Sequence, residues 1–128
     1  KYLFPSLRAA RGRVVIVNSV SAHIGSRLSG IDYTMSKAAL SGMVRQLALQ
    51  WAPDGVLINS VFPGMTRTPM LAGALEKSSL AAVESRIPLG RVALPEEVAR
   101  AICFLLSEGN TYITGSGIDV SGGLYLSG

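Results

Sequence analysis

A tyrosine and a lysine stand four residues apart in the segment Tyr33-Thr34-Met35-Ser36-Lys37. On a helix this spacing places the phenol and the ammonium group on one face, one turn apart. A free phenol ionises at about pH 10, too high for efficient proton transfer at neutral pH, and a nearby ammonium group stabilises the phenolate. The pair is therefore a candidate acid/base centre. Taken alone, it also fits a surface lysine beside a half-buried tyrosine.

A serine stands at the end of a predicted strand that precedes this pair. Residues 13–18 form a continuous, largely β-branched run, which is typical of a strand buried on both faces of a parallel sheet. Ser19 follows this run directly, 14 residues before Tyr33. Because ligands in open parallel sheets bind beyond the carboxyl ends of strands, Ser19 can hydrogen-bond a substrate oxygen close to the Tyr33 hydroxyl.

The segment that carries the pair has the periodicity of a helix over residues 33–51. Its apolar residues recur at every fourth position, and a wide stripe of this kind predicts more than one buried face. The stripe consists of Met35, Ala39, Met43, Leu47 and Trp51, with Leu40, Val44 and Ala48 beside it. Asp32 is the expected N-terminal cap, or Ser29 if the helix begins earlier.

The remaining elements predict an open α/β sheet. A second continuous strand covers residues 56–61, a helix opens at Pro95 with acidic residues in its first turn, and a third strand covers residues 117–120. Each connection is longer than the roughly dozen residues that parallel pairing needs. The predicted fold class is α/β, a Rossmann-like doubly wound parallel sheet with three layers, α/β/α.

A series of motifs resembles, in order, those of the short-chain dehydrogenase/reductase family over essentially the whole chain. No single motif is specific, but the collinear set is a strong indication. The motifs are Ser19 at the strand end, Tyr33-x-x-x-Lys37, Asn59-Ser60-Val61-Phe62-Pro63-Gly64 with Thr68, Pro88-Leu89-Gly90-Arg91, Pro95-Glu96-Glu97, Thr114-Gly115 and Gly122-Gly123.

The resemblance implies a role for each matching residue, with NAD or NADP as the cofactor. Tyr33 would protonate a carbonyl oxygen during reduction, or deprotonate an alcohol during oxidation. Lys37 would stabilise the phenolate and bind the ribose hydroxyls of the nicotinamide half, and Ser19 would orient the substrate oxygen. The residues implied to contact the cofactor are Tyr33, Lys37, Pro63, Gly64, Thr66 and Thr68.

Two departures from the family pattern matter. The family's glycine-rich dinucleotide loop and the asparagine of its catalytic tetrad belong upstream of this region. We therefore expect residues 1–128 to be the C-terminal catalytic half of a single Rossmann-like domain, with an incomplete sheet that lacks its N-terminal half. The spacing from Ser19 to Tyr33 is one residue longer than the commonest family spacing, so Ser21 remains an alternative for Ser19.

The composition predicts a surface that is partly covered by other protein. Charged residues make up 16% of the chain, against about 25% in ordinary soluble domains. We expect the covering protein to be either further chain or other subunits of a homo-oligomer, a dimer or tetramer.

The charge and the apolar pattern argue against other classes of partner. The net charge is +4, but the 12 basic residues are scattered, which argues against nucleic-acid binding. The lack of a membrane-length apolar run argues against membrane insertion, and a single cysteine fits a cytoplasmic location. No metal site is predicted.

Three further residues have more ordinary interpretations. His23, the only histidine, is expected in a loop near the substrate mouth rather than in a catalytic triad. Cys103 lies between Ile102 and Phe104 and is expected to be a buried packing thiol rather than a nucleophile. Arg67 is expected to be solvated rather than bound to a cofactor phosphate.

The leading functional prediction is an NAD(P)-dependent oxidoreductase that interconverts a small carbonyl compound and a secondary alcohol by hydride transfer. The alternative is a truncated, non-catalytic fragment that keeps the scaffold and associates with a partner but does not bind cofactor. The sequence predicts neither the substrate nor a preference between NAD and NADP.

Overall fold

Three parallel strands form one sheet, in the order β1 (Arg13–Val17), β2 (Leu57–Pro63) and β3 (Gly117–Val120). The sheet belongs to a computed structural model that describes residues 2–25, 28–75 and 79–126. Val61 of β2 pairs with Ile118 of β3, and Val61 also pairs with Val17 of β1. The predicted parallel α/β sheet is confirmed, and β2 continues to Pro63 although proline has no backbone N–H to donate.

Helices connect or precede the strands in the described part of the chain. They are α1 (Phe4–Ala9), α2 (Ile31–Trp51), α3 (Pro69–Leu75), α4 (Leu80–Glu84) and α5 (Pro95–Leu106). Short 3₁₀ turns at Val20–Ala22 and Ala52–Asp54 follow β1 and α2. The long helix expected from residue 33 therefore begins two residues earlier.

Helices cover both faces of the sheet, because successive side chains of β2 point to opposite sides. Ile58 packs with Val44 of α2 on one face. Val61 packs with Leu105 of α5 on the other face. Fully burying an aliphatic side chain of this kind contributes about 1.5–3 kcal/mol. The three-layer α/β/α arrangement is thereby confirmed.

One edge of the sheet is open within the described residues. β1 pairs with β2 but has no recorded strand neighbour on its other side. Val17, the last residue of β1, is half exposed. The sheet is therefore incomplete, as the sequence predicted.

Two expectations about the helices are wrong. Neither Asp32 nor Ser29 caps α2: its N-cap is Gly30, and no side chain accepts a hydrogen bond there. Cys103 is exposed rather than buried. The buried stripe of α5 follows helical spacing and leaves position 103 outside it; it consists of Val98, Ala101, Ile102 and Leu105.

The apolar stripe of α2 is only partly covered. Val44 and Ala48 are buried against the sheet, whereas Met35 and Met43 are exposed. The expected second buried face of α2 is therefore not buried within this chain. None of the helices in the described part of the chain is long and apolar enough to cross a membrane.

Candidate active site

A cleft of about 540 Å³ opens at the carboxyl ends of β1 and β2. Its volume lies in the range of about 300–1,000 Å³ that is usual for small-molecule sites. The residues predicted to act in catalysis or to contact the cofactor all line this one cleft: Ser19, Tyr33, Lys37, Pro63, Gly64, Thr66 and Thr68, together with the alternative serine, Ser21. Residues more than 30 positions apart in the sequence are thus brought together by the parallel strand order.

The lysine is tied to the end of β1. Lys37 Nζ donates a hydrogen bond to the Val17 carbonyl oxygen at 3.0 Å and lies 5.6 Å from the centre of the Tyr33 ring. An ammonium group has three donors. The contact with Val17 uses one of them and fixes the side chain inside the cleft, so the other two remain for a ligand.

Both candidate serines are buried at the start of the turn that follows β1. Ser19 is 7% exposed and Ser21 is 8% exposed. Ser19 Oγ accepts a hydrogen bond from the Ser21 backbone N–H at 3.1 Å, so Ser19 is the side-chain cap of this turn. That bond uses a lone pair of the Ser19 hydroxyl and leaves its proton available to a substrate oxygen.

Asn18 is a site residue that the sequence reasoning did not single out. It is 3% exposed. Its Oδ1 accepts from the Ser19 backbone N–H at 2.9 Å, and its Nδ2 donates to Ser41 Oγ at 3.0 Å. An amide side chain directly before the strand-end serine was the available signal, since a buried amide must find partners.

The opposite wall of the cleft follows β2. Gly64 N–H donates to the Val120 carbonyl at 2.9 Å, and a Cβ at position 64 would lie 2.9 Å from Ser121 Cα. A side chain at Gly64 would therefore push the two strand ends apart.

The next residues form a short parallel bridge between Thr66 and Ala93. Ala93 accepts from the Arg67 N–H and donates to the Met65 carbonyl, each at 2.9 Å. In a parallel bridge this pattern points the backbone N–H of Thr66 away from Ala93. Thr68 lies two residues further on, and its hydroxyl accepts from the Leu71 N–H at the start of α3.

An ion pair holds the segment that supplies Ala93. Arg91 makes two hydrogen bonds of 2.7 Å to the Glu97 carboxylate, which also accepts from the Leu94 N–H at 2.8 Å. The hydrogen bonds from Arg91, followed by the one from Leu94, lower the pKa of Glu97 from 4.5 to about 2. The same pairing raises the pKa of Arg91. The pair thus holds together the loop of residues 91–97, in which Ala93 pairs with Thr66.

His23 and Arg67 lie outside the lining of the cleft. The His23 ring stacks on Tyr125 at 4.8 Å and contacts Phe62 at 4.3 Å, beside a separate cavity of about 220 Å³. The sequence predicted that His23 lies near the substrate mouth, but the structure places it beside this second cavity instead. Arg67 is exposed, as expected. Within residues 2–25, 28–75 and 79–126, no three His, Cys, Asp or Glu side chains cluster closely enough to hold a metal ion.

Comparison with known proteins connects this geometry to a family. The family model described as enoyl-(acyl carrier protein) reductase matches residues 1–125. Protein FixR of Bradyrhizobium diazoefficiens is 42% identical over 97% of this chain and 43% of its own length. The 3-oxoacyl-[acyl-carrier-protein] reductase FabG of Aquifex aeolicus is 41% identical over 89% of this chain and 45% of its own length.

Solved structures agree. A 3-oxoacyl-[acyl-carrier protein] reductase with bound NAD from Brucella melitensis has a TM-score of 0.84 and 30% identity, over 98% of this chain and 45% of that one. An NADPH-bound short chain oxidoreductase from Pseudomonas aeruginosa, described as containing an atypical catalytic center, has a TM-score of 0.85 and 35% identity, over 97% of this chain and 50% of that one. The chain belongs to the short-chain dehydrogenase/reductase family of oxidoreductases. It spans about half the length of the curated relatives it matches.

Proposed function

We propose that this chain carries the catalytic centre of an NAD(P)-dependent oxidoreductase that interconverts a carbonyl compound and a secondary alcohol. The observation that carries the proposal is the convergence of Ser19, Tyr33 and Lys37 on one cleft at the carboxyl ends of β1 and β2. A phenol, an ammonium group and a buried hydroxyl in one cleft supply a proton donor, a fixed positive charge and a hydrogen-bond donor.

Tyr33 is the acid/base in this proposal. In reduction its hydroxyl gives a proton to the carbonyl oxygen, and in oxidation its phenolate takes the proton from the alcohol. Lys37 stabilises the phenolate form through its charge. The Ser19 hydroxyl donates a hydrogen bond to the same substrate oxygen and holds it against Tyr33.

The wall formed by residues 63–68 fits the nicotinamide half of a dinucleotide. A nicotinamide cofactor supplies or accepts the hydride. The Thr66 N–H, which points away from Ala93, suits a carboxamide oxygen. The Thr68 hydroxyl suits an adjacent phosphate if it exchanges its long, 3.4 Å hydrogen bond to the Thr66 carbonyl for one to the phosphate. The two free donors of Lys37 suit ribose hydroxyls. Pro63 and Gly64 bring this wall close because neither carries a side chain that projects far into the cleft.

The structure neighbours with bound NAD or NADPH support a nicotinamide cofactor for this chain, with no preference between the two. The partly uncovered apolar stripe of α2 supports the expectation of a homo-oligomer, since Met35 and Met43 would otherwise stay in water. A small molecule is the proposed substrate.

A hydride-transfer assay tests the proposal in the protein as its gene encodes it, whatever its length. The assay follows nicotinamide absorbance with a panel of ketones and secondary alcohols, and calorimetry follows the binding of NAD and NADP. Turnover of at least one substrate is expected. Failure to bind either dinucleotide, with no turnover of any substrate, would instead favour the non-catalytic scaffold.

A further inference from the structure

One buried side chain joins the strand end that carries Ser19 to the helix that carries Tyr33. Asn18 accepts from the Ser19 N–H through Oδ1 and donates to Ser41 of α2 through Nδ2. Because a backbone N–H can only donate, the atom that faces Ser19 must be Oδ1. The orientation of the amide is therefore fixed, and Nδ2 faces Ser41.

The partner of Asn18 lies on the catalytic face of α2. Tyr33, Lys37 and Ser41 follow one another at four-residue steps, so their side chains stack along one side of the helix. Lys37 already bonds the Val17 carbonyl. The end of β1 is thus attached to α2 at two successive residues, by Lys37 to Val17 and by Ser41 to Asn18.

We propose that Asn18 is a positioning residue for the reaction, acting through its bond to Ser41. The proposal rests on the proposed function, in which Ser19 and Tyr33 must contact the same substrate oxygen. In this proposal Lys37 binds a ligand as well as the Val17 carbonyl. Among the residues that the structure describes, Asn18 Nδ2 and Ser41 Oγ bind only each other. That bond sets the separation between the Ser19 hydroxyl and the Tyr33 hydroxyl.

An asparagine suits position 18 because the position requires one acceptor and one donor on the same short side chain. Leucine, of similar size, provides neither. Asn18 is buried, and its backbone N–H donates a hydrogen bond to the Val61 carbonyl at 2.8 Å, so the residue is also anchored to β2.

The test is the substitution Ser41→Ala in the protein as its gene encodes it. It removes the acceptor for Asn18 but leaves the bond between Asn18 and Ser19. We expect a fall in kcat of about 10- to 100-fold, since misplacing reacting groups by about 1 Å costs that much, with an unchanged affinity for the dinucleotide. Ser41→Thr keeps the hydroxyl and is expected to restore kcat.

Leu47→Ala is the matched control. Leu47 packs on the same helix against the same sheet face but takes no part in the hydrogen bonds that join α2 to Val17 and Asn18. It is expected to lower the melting temperature without lowering kcat. A double variant, Asn18→Ala with Ser41→Ala, is expected to cost no more than Asn18→Ala alone, because both changes remove the same bond.

Full turnover by Ser41→Ala, or an equal loss in Leu47→Ala, overturns the proposal while Tyr33→Phe still tests the proposed function. Amide hydrogen exchange gives a readout that needs no activity. Ser41→Ala is expected to speed exchange at the Ser19 amide, and Leu47→Ala is not. Unchanged exchange at Ser19 in Ser41→Ala would overturn the proposal even if the parent protein showed no turnover.

Discussion

The ammonium nitrogen of Lys37 donates a hydrogen bond to the carbonyl oxygen of Val17 at 3.0 Å. This contact crosses from the helix that carries Tyr33 to the strand that leads to Ser19. It places a positive charge 5.6 Å from the centre of the Tyr33 ring, in the lining of the cleft. Lys37 therefore has a structural attachment in addition to its proposed contacts with phenolate and ribose.

Lys37→Met is expected to lower kcat and also to weaken the binding of NAD or NADP. The methionine side chain keeps much of the apolar stem but loses the charge and all three donors. Steady-state kinetics with a dinucleotide titration measures both effects. A loss of turnover with unchanged dinucleotide affinity would remove the proposed ribose contact and leave Lys37 acting on Tyr33 alone.

Tyr33→Phe is expected to reduce turnover by about 10²–10⁴-fold, the usual contribution of general acid–base catalysis. The fold and the dinucleotide affinity are expected to stay near those of the parent, because one hydroxyl is removed from a half-buried ring. The measurement is kcat at saturating substrate, with calorimetry for the cofactor.

The matched control for Tyr33 is Tyr112→Phe, which makes the same chemical change on a ring that is 97% exposed. It is expected to leave kcat unchanged. If Tyr33→Phe kept a kcat close to that of Tyr112→Phe, another group would have to be the acid/base.

Ser19→Ala is expected to cost far more activity than Ser21→Ala. The Ser19 hydroxyl accepts from the Ser21 N–H and keeps its proton for a substrate oxygen. Ser21 takes part in that bond through its backbone, which alanine retains. Matched kcat values for the two variants decide between them, and the reverse order would assign the substrate contact to Ser21.

Much of the fold could be predicted because its signals are local. The continuous runs at 13–18 and 56–61 have a buried parallel strand as their simplest structure, and Pro95 with its acidic neighbours defines a helix start. The convergence of the site residues followed from the rule for strand ends. Their roles remain proposals.

What could not be predicted depends on tertiary contacts. The partner of Asn18 is 23 positions away in the sequence, and no spacing rule connects the two. The exposure of Cys103 depends on which side of α5 packs against the sheet. The sequence did not indicate that side at position 103, because both neighbours, Ile102 and Phe104, are apolar. The start of α2 at Ile31 depends on backbone conformation, because its N-cap, Gly30, has no side chain to mark it.

The pair formed by Arg91 and Glu97 predicts a pH-dependent contribution to stability. The pKa of Glu97 is lowered to about 2 from 4.5, so the ionised carboxylate favours the folded state. Its stabilisation is fully present above pH 4.5 and is lost as the pH falls towards 2. The effect is expected to be modest, because the Arg91 side chain is 52% exposed.

Glu97→Gln is therefore expected to lower the melting temperature at neutral pH, with a difference from the parent that shrinks between pH 4.5 and 2. Glu96→Gln, in the same helical turn but exposed, is the control and is expected to show little difference at any pH. Thermal unfolding of the three proteins across this range measures it. A pH-independent difference for Glu97→Gln would mean that the charge of Glu97 does not contribute.

A polypeptide of these 128 residues alone is expected to bind neither NAD nor NADP tightly. In doubly wound folds the pyrophosphate rests on a glycine-rich turn and a helix N-terminus, and the sequence contains no Gly-x-Gly-x-x-Gly run. Within the described residues, the outer edge of β1 also leaves backbone donors without a strand partner and Val17 half exposed, so self-association is expected. Calorimetric titration with both dinucleotides, after size-exclusion chromatography with light scattering, is the measurement. Micromolar binding by a monodisperse monomer would contradict the prediction. It would mean that residues 63–68 bind a dinucleotide tightly without a glycine-rich turn to hold the pyrophosphate.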